Sequence, residues 1–120
     1  MAYDHALSAV SFADKLFTCR GAMRLDSVEY INVTGFVGHA TIHWTIELLK
    51  GATVMASWTT DSDIAGQGTI AADTFVDLVN SATDANLVAA SGDEISLNVV
   101  ETGAAADLPA GRIVIHARYI

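Results

Sequence analysis

The sequence predicts an all-β protein, an antiparallel β-sandwich of jelly-roll type. Two observations carry this. Short β-branched runs alternate apolar and polar residues with a period of two. Glycine-bearing polar turns cut those runs at short intervals. No low-complexity linker divides the chain, and proline occurs once, at Pro109.

The elements follow in order. "LSAVSF" (7–12) reads as a first strand. "VEYINVTGFV" (28–37) sets Val28, Tyr30, Asn32 and Thr34 against Glu29, Ile31 and Val33. "TIHWTIELL" (41–49) places Ile42, Trp44, Ile46 and Leu48 on one face. Lys50-Gly51-Ala52 turns the chain into "TVMASWTT" (53–60), where Val54, Ala56 and Trp58 share a face. A Gly66/Gly68 turn leads into "TIAA" (69–72). In 72–82, Phe75, Leu78, Val79 and Ala82 fall at i, i+3, i+4 and i+7. That spacing predicts a short helix over 73–82 capped by Asp73, with a strand as the alternative. Ser91-Gly92-Asp93 reads as a hairpin turn. "EISLNVVE" (94–101) then points Ile95, Leu97 and Val99 one way. In the last strand, 112–120, Ile113, Ile115, Ala117 and Tyr119 share a face. Pro109 and Gly111 supply the turn into it. The expectation is one domain over 1–120.

Composition narrows the function classes. Hydrophobic residues are 52% and charged residues 17% of the chain, against about 25% charged in an average domain. A surface so poor in charge suggests burial against other subunits. The net charge is −8, with two Lys/Arg against nine Asp/Glu in residues 61–120. Phosphate backbones would repel it, so nucleic acid is not an expected ligand. No run reaches the 18 or so apolar residues of a membrane helix, and the first residues lack a signal peptide's basic start, so synthesis in a cytoplasm is expected. The one cysteine, Cys19, reads as a small buried hydrophobe.

The stretch "HATIHWTIE" (39–47) puts His39, His43 and Glu47 at every fourth position, the spacing of a helical zinc site. Yet Thr41, Ile42, Trp44, Thr45 and Ile46 favour a strand. Residues four apart on a strand lie about 13 Å apart, too far to share one ion. The HExxH zinc signature is also absent, because Ala40 follows His39. His43, Thr45 and Glu47 then form the face opposite the core, the first place to look for a partner. The cupin motifs fit only at Gly103, Pro109 and Gly111. His116 falls two residues late for the cupin ligand, which leaves His43, His116 and Glu47 as a weak metal alternative. Asp61-Ser62-Asp63 lacks the rest of a calcium loop. Gly66-Gln67-Gly68 is not a dinucleotide fingerprint. Trp44 and Trp58 read as core rather than as a sugar platform. No catalytic residue, metal or cofactor is expected.

Four segments together resemble small virion proteins of tailed bacteriophages. They are "VEYINVTGFV", "WTIELLKGATVMASW" (44–58), "NLVAASGDEISLNVVETG" (86–103) and "GRIVIHARYI" (111–120). In that group, short jelly-roll subunits decorate or cement the capsid, often as trimers. The resemblance implies a non-enzymatic decoration or cement protein on the capsid surface. Its partners would be the major capsid protein and further copies of itself, a homotrimer, with assembly in the host bacterial cytoplasm and no part for nucleic acid or membrane. Two alternatives stand beside it, a tail or fibre module that binds a host glycan or receptor, and a cupin-like metal-binding protein.

Overall fold

The computed structural model describes residues 2–6, 12–32, 34–105, 108 and 111–120. These residues form ten strands: β1 (Ala2–Ala6), β2 (Phe12–Thr18), β3 (Met23–Asn32), β4 (His43–Lys50), β5 (Thr53–Thr59), β6 (Thr74–Asp77), β7 (Val79–Asn80), β8 (Val88–Ala89), β9 (Glu94–Thr102) and β10 (Gly111–Tyr119). A single 3-10 turn, Asp84–Leu87, precedes β8. One sheet runs β1-β10-β3-β6, with β8 extending β3; the other runs β2-β9-β4-β5-β7. Every pairing is antiparallel.

The pairings are nested. β4 pairs β5, β3 pairs β6, β2 pairs β9 and β1 pairs β10. The chain is thus one long folded hairpin, rolled so that alternate pairs fall in opposite sheets. That is the jelly roll, and the predicted fold class holds.

The core lies between the sheets. Tyr30, Trp44, Ile46, Leu97, Ile113 and Ile115 are all 1% exposed or less. The predicted alternation is therefore right for β3, β4, β9 and β10, except that Ile42 precedes β4 and is only half-buried. Tyr119 is 62% exposed, because it lies beyond the core and rests on Gly21. Leu78, between β6 and β7, carries the chain from one sheet to the other: its N–H donates to Val28 O (2.8 Å), prolonging the β3–β6 pairing, and Ser81 N–H donates to Met55 O (2.8 Å), prolonging β5–β7. Asn80 Nδ2 ties the two sheets directly, donating to Asp26 O (3.0 Å). Lys50 reaches across at one end, its ammonium donating to Val88 O (2.6 Å) and Ala85 O (3.3 Å). A Lys15/Phe17 bulge and the exposed Lys15 sit on edge strand β2, both of them devices that discourage strand addition.

Several expectations are corrected. Residues 73–82 are not a helix. They form β6 and β7, because Val76 and Leu78 turn inward while Phe75 and Val79 are 56% and 51% exposed. Asp73 has φ 57°, a left-handed residue entering a strand rather than a helix cap. "TIAA" is no strand; only Ile70 pairs, in a bridge with Phe36. β3 starts earlier than expected and ends at Asn32. In β5 a bulge at Leu48/Leu49 makes Val54 pair with Leu49, and Met55 takes the core place expected of Val54. The Ser91–Asp93 turn joins β8 to β9, which lie in different sheets, so it is not a hairpin. It is closed by Asp93 N–H on Ala90 O (3.1 Å) and Ala90 N–H on Asp93 Oδ2 (2.8 Å). Strands β1 and β2 were not foreseen. The expected strand over 7–12 lies outside the described residues except for Phe12, which begins β2. Val33 and the Pro109 turn also lie outside them.

Candidate partner-binding face

His43, Thr45 and Glu47 project from β4, the central strand of its sheet, away from the core. Directly opposed residues of antiparallel strands share a face, so the register extends this surface. Glu47 stands in a row with Ser57 and Asn98, continuing to Val79 and Ala13. Thr45 stands between Thr59 and Val100, and His43 beside Thr102. Leu49 stands between Val54 and Ser96, with Lys15 beyond.

The side chains here are hydroxyls, amides and aliphatics. Thr45 Oγ1 donates weakly to Thr59 Oγ1 (3.4 Å). Asn98 Nδ2 donates to Glu47 Oε1 (3.3 Å). Lys15 and Glu94 pair at the corner, 3.0 Å apart. Among the described residues, Glu47 is the one charge in the interior of this face. His43 Nδ1 is buried with no hydrogen-bond partner among the described residues, as is Trp58 Nε1.

The outer face of the other sheet is the opposite in character. It carries Arg24, Asp26, Glu29, Asp77, Arg112, His116 and Arg118. His116 Nε2 meets Glu29 Oε1 at 2.7 Å, and Arg118 is bonded to Asp26. Arg24 makes a two-pronged contact with Asp84, one bond of 3.2 Å. That contact raises the Arg24 pKa and lowers that of Asp84, through the hydrogen bond first and the charge second. Beside this charged face, Ile31 and Phe75 form an exposed apolar cross-strand pair.

The metal alternative fails on this geometry. His43 and Glu47 face out from one sheet, and His116 from the other, so the sandwich separates them. His39 Nδ1 is engaged, accepting from Thr41 N–H (3.1 Å) and Ile42 N–H (3.4 Å). Among the described residues, no three His, Cys, Asp or Glu side chains cluster to hold an ion. Cys19 is buried, and burial, then the Asp93 charge, pushes its thiol pKa up, away from nucleophilic form. Trp44 and Trp58 are core residues, 1% and 7% exposed. Among the described residues no helix is long and apolar enough to cross a membrane.

The sequence located only the β4 row of this face. The β9 positions Ser96, Asn98 and Val100 were legible as the off-core set of a predicted strand. Nothing local showed that they lie beside β4. Val79 was missed because its segment was read as helical.

No protein-family model matches the chain, and no curated protein matches it. Among solved structures, the chain is similar to the infectious bursal disease virus Gt strain structure, with a TM-score of 0.35 and 12% identity, over 98% of this chain and 29% of that one. A mutant VP2 protein of the same virus gives the same values. The Gx strain structure gives 0.34 and 14%, over 95% and 32%. The chain spans under a third of the length of these proteins. So slight a likeness adds nothing to the fold, which rests on the strand order.

Proposed function

We propose that this chain is a non-enzymatic structural subunit of a bacteriophage particle, a decoration or cement protein that oligomerises and binds the major capsid protein on the capsid surface. The nearly charge-free outer face of the β2-β9-β4-β5-β7 sheet carries this reading. A chain of net charge −8 has charge to spare for its surface, yet among the described residues the interior of this sheet face carries only Glu47. Protein interfaces deplete charge at their centres in this way, while solvent-facing sheets carry it. The fold suits the role without specifying it, since jelly rolls also serve lectins and cupins. Assembly in the host bacterial cytoplasm belongs to the same reading. The glycan-binding alternative loses support, because both tryptophans are in the core.

The test is association with particles. Peptides of this chain should appear in purified virions of the phage that encodes it, in fixed ratio to the coat protein. The recombinant protein should co-sediment with those shells. Absence from virions, together with no co-sedimentation, overturns the proposal.

A further inference from the structure

We infer that the outer face of the β2-β9-β4-β5 sheet binds the same face of a second copy, forming a two-fold dimer. This deepens the reading of the chain as an oligomerising structural subunit and rests on it.

Charge is the first argument. Two copies at net −8 repel wherever their charged surfaces meet. The other sheet presents seven titratable side chains outward, five of them already joined in ion pairs within the chain: Arg24 with Asp84, Arg118 with Asp26 and His116 with Glu29. On the inferred face the Lys15–Glu94 pair compensates itself at a corner. Among the described residues only Glu47 remains, steadied by Asn98. Like copies therefore approach at least cost across this face.

Self-complementarity is the second argument. In a two-fold contact a surface must match itself. A face of one charge sign cannot, but hydroxyls both donate and accept, so identical rows of them can bond each other. Thr45, Ser57, Thr59, Ser96 and Thr102 supply such rows. Hydroxyls of the opposing copy can also bond the Glu47 carboxylate, which otherwise would be costly to cover. Val100 and Val79, 40% and 51% exposed, add apolar contact.

Area is the third. Four strands spaced about 4.8 Å apart and eight residues rising about 3.3 Å each make a patch of about 19 by 26 Å. Two such patches bury about 1,000 Å², the lower bound for a specific interface. Sheets can stack this way about 10 Å apart, aligned within about 30°.

The experiment is sedimentation equilibrium of the full chain from about 1 to 100 µM, a range that reveals a concentration-dependent dimer. The proteins are wild type, Thr45→Arg, Thr45→Glu and an equimolar mixture of the two variants, with thermal melts as a check on folding. The wild type should reach twice the 12.6 kDa chain mass. Each variant alone should dissociate at least about tenfold more readily, and the mixture should recover the dimer. Val100→Glu should weaken the dimer as well, should a Thr45 variant fail to fold. A monomer at the highest concentration, a trimer, or a dimer that folded Thr45 variants do not weaken overturns the inference. The trimer would leave the proposed function standing. A dimer that never co-sediments with virion shells would support the inference and count against that function.

Discussion

Replacing Leu97 by alanine tests the register on which both the fold and the partner face depend. Leu97 is fully buried, paired with Leu48 on one side and Asp14 on the other. The substitution removes three carbons, worth about 2.4 kcal/mol at about 0.8 kcal/mol per methylene. The cavity left between two stiff sheets adds to this, giving a loss of about 3–4 kcal/mol. An unfolding entropy of about 2.1 cal/mol/K per residue amounts to about 0.25 kcal/mol/K over 120 residues. The expected drop in Tm is therefore about 12–16 °C. Val100, three residues on, faces outward and is 40% exposed. Val100→Ala should cost about 1 kcal/mol or less and about 4 °C. Thermal melts followed by circular dichroism, with urea titrations for ΔG, measure both. A one-residue slip of β9 would exchange core and surface positions. If Val100→Ala loses more stability than Leu97→Ala, the register is wrong and the partner face goes with it.

Three further predictions concern other parts of the molecule. A Cβ on Gly38 would lie 2.8 Å from Thr60 O and 2.9 Å from Thr69 N, both backbone atoms, so Gly38→Ala should cost about 2–3 kcal/mol in urea unfolding. Gly51→Ala, with φ 56° and nothing within 4 Å, should cost only about 1 kcal/mol. Arg24 depresses the Asp84 pKa, so the native state binds fewer protons there; the pair's contribution is complete above the ordinary carboxylate pKa of about 4 and is lost as pH falls through the depressed value. Arg24→Ala should flatten that acid limb in melts at low salt, and added salt should do the same to the wild type. The Cys19 thiol should resist a thiol reagent in the native protein and react at once in denaturant; fast native labelling would contradict its burial.

How much of the fold was legible follows from what each segment encodes locally. In β4, β9 and β10 burial alternates along most of the strand and β-branched residues recur, so period and propensity agree. In 73–82 the two signals separate. Phe75, Leu78 and Val79 satisfy a helical period, but the spacing i, i+3, i+4 does not show which of them are buried. Leu78 alone is, and the pairings of Glu29 with Asp77 and Ser57 with Val79 decide the outcome. Those partners lie 48 and 22 residues away in the chain, beyond any local window. β2 was hidden for a related reason. "FADKLFT" is an edge strand that carries Asp14 and Lys15 in its middle and a bulge at Lys15/Phe17, so its apolar residues do not alternate; charges and bulges of this kind keep edges from pairing with other chains.

The candidate face shows the same division more sharply. The alternation of β4 was enough to turn His43, Thr45 and Glu47 away from the core. It was enough, too, to dissolve the His39–His43–Glu47 metal pattern, since a strand spreads those residues and a helix would have gathered them. But one row of three residues has no area, and a partner surface is a property of area. The face exists because the long hairpin folds back so that β9, 51 residues on from Glu47 at Asn98, lies against β4, and β5 closes the other side. Each strand supplies an outward row that is unremarkable alone, a threonine here and a serine there. Only their alignment reveals how little charge they hold together: Glu47 in the interior and the Lys15–Glu94 pair at a corner. Its absence is thus legible in sequence only after the topology is known, while the charged outer face of the other sheet serves as the internal control.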